Sequence, residues 1–157
     1  MRTLIFLLLV VAGNSGDSIV YVVTRDDSLL AVSLTTGEAV WSFYTGWRPV
    51  DDYEYPSMVE TPKIISSAIV EQGKVIFVGR DHTIYALDPQ DGTQRWAAPL
   101  DAVRTTPWFT HRGELLLGLS DYTLTHVDAG SGDIVRKDTL DYLALGGVSV
   151  VSDDVIL

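Results

Sequence analysis

Three histidines, His82, His111 and His126, and an aspartate that recurs in three similar stretches, Asp26, Asp81 and Asp121, are the side chains best able to move a proton or hold a metal. Neither set has the spacing that such chemistry needs. A zinc site draws on paired histidines a turn apart, as in HExxH, and these three stand alone, as surface or packed histidines do. The aspartates fall at one place in three separate units, so each is expected to cap its own turn and they cannot converge on one substrate atom. Without cysteine the chain offers no thiolate ligand and no thiol nucleophile. The Gly130–Gly132 stretch is followed by neither Lys-Ser/Thr nor a helix signal, so it is not a phosphate loop. Trp41 and Trp96 could stack on a quinone ring, but a quinone enzyme also wants a carboxylate-rich calcium site, and no such spacing stands out. Two large rings at one repeat position are instead expected to seal the cores of their units. These patterns predict no catalytic residue, no metal and no cofactor; the protein is expected to bind.

The elements around these residues come from internal repetition. Val20 to Phe43, Val75 to Leu100 and Leu115 to Leu140 are three copies of one unit. Gly37, Gly92 and Gly132 align, 55 and then 40 residues apart, with an insertion between the first two copies. Trp41 aligns with Trp96, and Arg136 takes that place in the third copy. Each copy has a short aliphatic strand, a polar turn, an alternating strand such as Thr83-Ile84-Tyr85-Ala86-Leu87, a turn ending in Gly, and a third strand. Ser66 to Val70 and Pro107 to Thr110 add a fourth strand ahead of copies two and three. Four antiparallel strands make a propeller blade, and no sustained helical period appears. The fold class is therefore all-β: antiparallel four-stranded blades of a partial, open β-propeller. Val148 to Val151 and Val155 to Leu157 read as the start of a further blade, so the chain is expected to be truncated at its C-terminus.

Residues 1–16 read as a signal peptide, with Arg2, the apolar run Leu4 to Ala12, and small residues at Gly13, Ser15 and Gly16; a buried first strand is the competing reading. Residues 17–157 would then be the mature domain. A formal net charge of −10 argues against nucleic acid and anionic lipid as partners and is compatible with a protein partner. No membrane contact is expected within the segment.

The Gly-turn-Trp unit resembles the repeats of pyrroloquinoline-quinone propellers. The order DDSLLAVSLTTGEAVWSF, irregular insertion, IFVGRDHTIYALD, then GLSDYTLTHVDAGSGDIVRKDTLDY is similar to the lumenal domain of the inositol-requiring class of endoplasmic-reticulum stress-sensor kinase/endoribonucleases over Ile19 to Leu145. The resemblance implies a dimer built through a shared β-sheet, binding of unfolded polypeptide and of a lumenal Hsp70 chaperone, and an address in the endoplasmic-reticulum lumen. It maps the family's dimer strand onto Lys74 to Val78 and its neighbour onto Thr83 to Leu87, which makes Lys74, Ile76, Val78, Thr83, Ile84 and Tyr85 the expected dimer edge. The alternative is a scaffold built from propeller repeats, periplasmic or secreted, that binds other proteins. On either reading the insertion is a candidate binding loop, because Trp47, Arg48, Tyr53 and Tyr55 are favoured contact residues and Trp108 could join them.

Overall fold

In the computed structural model the described residues are 6–8, 17–24, 28–46, 68–79, 81–102, 109–141, 149–151 and 154–156. None of them is helical. Among the described residues, fourteen strands form three four-stranded antiparallel sheets and a two-stranded ribbon. The first sheet runs β1 (Phe6–Leu8), β2 (Ile19–Val23), β3 (Ser28–Ser33), β4 (Ala39–Tyr44). The second runs β5 (Ile69–Glu71), β6 (Lys74–Val78), β7 (Thr83–Leu87), β8 (Gln94–Pro99). The third runs β9 (Phe109–His111), β10 (Glu114–Gly118), β11 (Thr123–Asp128), β12 (Ile134–Thr139). The ribbon pairs β13 (Ser149–Val151) with β14 (Asp154–Ile156), where the sequence suggested the opening of a further blade. The three sheets are the three repeats.

Phe6–Leu8 lies within the apolar run read as a leader, and here it pairs with β2 in the place that β5 and β9 take in the other sheets. This strand is the competing reading of that run, and removal of residues 1–16 would take it away and uncover the edge of β2.

Local sequence explains the repetition. Gln72-Gly73 and Arg112-Gly113 are two-residue hairpin loops in which both residues have positive φ, the mirror-image turn whose twist matches that of the strands it joins. At the next turn Asp81 Oδ1 accepts the Thr83 amide at 3.1 Å and Asp121 Oδ1 accepts the Thr123 amide at 3.2 Å, so these two acids cap their turns as expected. Asp26 lies outside the described residues. The Gly turns share one bonding scheme: the amides of Gly37, Gly92 and Gly132 donate to the carbonyls of Ser33, Asp88 and Asp128 at 2.9, 3.0 and 2.8 Å. Each outer strand then carries a bulge at the same place, opposite Ala31/Val32, Ala86/Leu87 and His126/Val127.

Strand alternation divides the core between the seams. Val75, Phe77, Tyr85 and Leu87 of the second blade pack with Tyr21, Leu29, Ala31 and Trp41 of the first. Ile76, Val78, Ile84 and Ala86 point the other way and pack with Leu115, Leu117 and Val127 of the third. The second blade is thus apolar on both faces because each face meets a neighbour. Each fully buried large side chain in these seams contributes about 1.5–3 kcal/mol.

Candidate functional site

The residues singled out for chemistry take structural positions. His82 has φ +60° in its turn, and its carbonyl accepts the Leu100 amide at 2.7 Å; Tyr122 repeats this with φ +64° and Leu140. His111 ends β9. Among the described residues no group of His, Asp or Glu is arranged to hold a metal ion.

His126 is buried on the face of the third blade that points away from the second. Its Nδ1 lies 2.9 Å from Glu114 Oε2, and its Nε2 lies 3.0 Å from Arg136 Nη2 and 3.1 Å from Asp138 Oδ2. Arg136 Nε donates to the same Asp138 oxygen at 2.9 Å. His126 thus sits between two carboxylates and a guanidinium, and Arg136 holds both the ring and Asp138. The sequence showed these four residues but not that β10, β11 and β12 bring them together.

The strands proposed as a dimer edge lie inside the second sheet. β6 is paired to β5 and β7, and β7 to β6 and β8, so both backbone edges of each strand are already bonded. Ile76, Val78, Ile84 and Tyr85 are buried, while Lys74 and Thr83 are half-buried at the strand ends. Pairing with a second chain through these strands would first have to open the blade. The physical reason is that β5 and β8 flank them, a feature that the mapped pair of strands did not include. Trp47, Arg48, Tyr53, Tyr55 and Trp108 lie outside the described residues.

Tyr85 has a local partner instead: its hydroxyl donates to Asp81 Oδ2 at 2.5 Å. Burial, then the hydrogen bond to Asp81 and that residue's charge, push the phenol up to about 12 from the ordinary 10.0. A raised pKa keeps the folded form protonated while the unfolded chain ionises. This contribution to stability is complete below pH 10 and is lost as pH rises through about 12. Phenolate absorbance should therefore show a late-titrating fraction that Tyr85→Phe diminishes. Tyrosines all ionising together near the ordinary value, with no change in the variant, would contradict the assignment.

Trp41 and Trp96 lie at seams between blades, which corrects the expectation that each seals its own blade. Trp41 lies over the Gly turn of the second blade, and a Cβ added at Gly92 would stand 2.7 Å from its ring. Its indole N–H donates to the Pro89 carbonyl at 3.0 Å. Trp96 lies over the turn of the third blade, where a Cβ at Gly132 would stand 2.6 Å away. Repeat by repeat, Ala31 is opposite Trp41, Ala86 is opposite Trp96, and His126 is opposite Arg136. The ionic cluster of the third blade thus replaces the Ala–Trp pair of the first two.

Large exposed apolar side chains among the described residues fall on the two end blades. They are Leu34, Val40 and Tyr44 on the first, and Tyr122, Ile134 and Val135 on the third. Val40 and Val135 are the bulge residues, turned outward by the extra residue in their strands.

Comparison with known proteins places this arrangement. A family model described as outer membrane protein assembly factor BamB matches residues 12–106 and again residues 47–149, overlapping windows of the kind that repeats produce. No curated protein matches. Among 351 matching chains of solved structures is the crystal structure of BamB from Moraxella catarrhalis, with a TM-score of 0.63 and 19% identity. The match covers 90% of this chain and 39% of that one, so the chain spans well under half the length of this structural neighbour. At that identity the likeness shows the fold, and the fold is the expected pyrroloquinoline-quinone-type propeller repeat. Neither match is to a stress sensor of the inositol-requiring class.

Proposed function

Because the chain belongs to the family of the outer membrane protein assembly factor BamB, we propose that it is a non-catalytic propeller scaffold of the cell envelope, periplasmic in location, that holds protein partners while outer membrane proteins are assembled. The observation that carries this reading is the placement of exposed apolar surface. The middle blade spends both faces on its neighbours, whereas the end blades present Val40, Tyr44, Ile134 and Val135 to solvent on or beside outer strands. Among the described residues the sheets end at β4, β8 and β12, and an extended partner can join an outer strand by strand addition. The net charge of −10 keeps such a surface soluble and favours protein over anionic lipid or nucleic acid.

The test is site-specific photocrosslinking in a bacterium with an outer membrane, with the reactive group at Val135 or Tyr44. Adducts with outer-membrane-protein precursors or with their assembly machinery are expected. Val40→Glu with Val135→Glu should weaken purified-partner binding about 30-fold, the effect of losing roughly 2 kcal/mol at a contact anchor. Adducts confined to unrelated proteins, with unchanged binding by the double variant, would exclude this role.

A further inference from the structure

The ionic cluster of the third blade offers one ring nitrogen two partners that it cannot serve together. His126 Nε2 lies 3.1 Å from Asp138 Oδ2 and 3.0 Å from Arg136 Nη2. A carboxylate oxygen accepts and a guanidinium only donates, so Nε2 needs a proton for the first and a lone pair for the second. A neutral ring protonated on Nδ1 donates to Glu114, 2.9 Å away, and accepts from Arg136 at Nε2. A neutral ring protonated on Nε2 would set the Nδ1 lone pair against the Glu114 carboxylate. A doubly protonated ring donates to Glu114 and to Asp138 and has nothing for Arg136 to bond. The heavy atoms stand ready for the first and the last of these states. The same ladder position holds an Ala–Trp pair in the first two blades, so a blade closes there without any charge.

We propose that His126 is a proton-operated selector, which holds the Arg136 guanidinium when neutral and exchanges it for Asp138 when protonated, so that the outer strand of the third blade presents a different charge pattern as pH falls. Burial decides which side chain moves. The His126 side chain is 4% exposed and has no water to turn to, whereas that of Arg136 is 60% exposed and can take water as its new partner. Arg136 Nε stays bonded to Asp138 Oδ2 at 2.9 Å, so only the Nη end swings free. It emerges next to Val135, the bulge residue, which is 56% exposed. Among the described residues, two more titratable groups share this face. His111 stands opposite Glu114 on β9, and Asp128, opposite Glu114 on β11, spends Oδ1 on the amides of Gly130 and Ser131 at 2.8 and 2.7 Å. Lys137 is turned to the other face, where it pairs with Asp101. The selector does not rest on the envelope role proposed above.

Nitrogen NMR of the full chain, followed from about pH 8 to about pH 5, where histidine changes charge, tests it. The His126 Nε2 signal should pass from that of a hydrogen-bond acceptor to that of an N–H. Over the same interval the Arg136 Nη2 protons should exchange with water about tenfold faster, the effect of one lost hydrogen bond. His111→Gln should leave both curves where they are, and His126→Gln should flatten that of Arg136. The ring signal of the unaltered chain decides the matter even if the His126 variant does not fold. An Nε2 that keeps its proton, or never gains one, across the whole range would overturn the proposal. So would Arg136 exchange that ignores the charge on His126, or that follows His111 instead.

Discussion

Trp41→Ala should lower the unfolding free energy by about 3–5 kcal/mol, the cost of emptying a large aromatic site that cannot fully collapse. The site cannot collapse because its walls belong to two blades. Tyr21 packs on the indole from the first blade at a ring separation of 5.7 Å, and the Gly92 turn closes it from the second. Neither wall can move inward without breaking its own sheet. The Pro89 carbonyl also loses its donor, which costs about 1–3 kcal/mol if water does not replace it. Against a domain stability of about 5–15 kcal/mol this is a large share. Trp41→Phe separates the parts: it keeps much of the ring area and loses the hydrogen bond. Trp96→Phe should be milder, since the Trp96 indole nitrogen is buried without a partner and has no bond to lose. Urea unfolding of the three variants checks the order. A loss below about 1 kcal/mol for Trp41→Ala would mean that the blades do not depend on this contact.

The repeat was legible in the sequence because each blade is specified locally. Alternation sets the strand faces, Gly in the last turn of each blade takes the positive φ that the turn needs, and Asp81 and Asp121 cap their turns through amides two residues on. Those signals act over a few residues, and they predicted strands that the structure places within one to three residues. What lay between blades was not legible in the same way. Trp41 reaches a turn 48 residues later, and no local pattern reports such a contact. The signal was present in another form: each Trp faces an Ala across the strand pair, and where the Ala becomes His126 the Trp becomes Arg136. A coupled change of that kind marks a seam of different chemistry. The strands of the suggested dimer edge show the same limit of local signals. Lys74 to Val78 reads as a good strand, but an edge is defined by missing neighbours, and β5 and β8 supply them.

Gly92→Ala and Gly37→Ala should differ sharply in the 157-residue chain although the glycines occupy one repeat position. Both have φ near +75°, so both substitutions force an alanine into the left-handed region at about 1–2 kcal/mol. The stiffer unfolded chain returns about 0.4–1 kcal/mol of that in each case. Gly37→Ala ends there, near 1 kcal/mol, because its methyl group meets nothing within 4 Å among the described residues. Gly92→Ala adds a methyl group 2.7 Å from the ring of Trp41, far inside normal contact. The indole is pinned by Tyr21 behind it and by its bond to Pro89, so it cannot yield without opening the seam. Overpacking of that kind adds about 1–3 kcal/mol, for a total near 2–4. The contrast should shrink in the double comparison with Trp41→Ala, since removing the ring removes the clash. In that background both alanines should cost about 1 kcal/mol, the coupling that a double-mutant cycle measures directly. Equal losses for the two glycines in the parent chain would show that the turn, and not the ring lying over it, sets the demand for glycine.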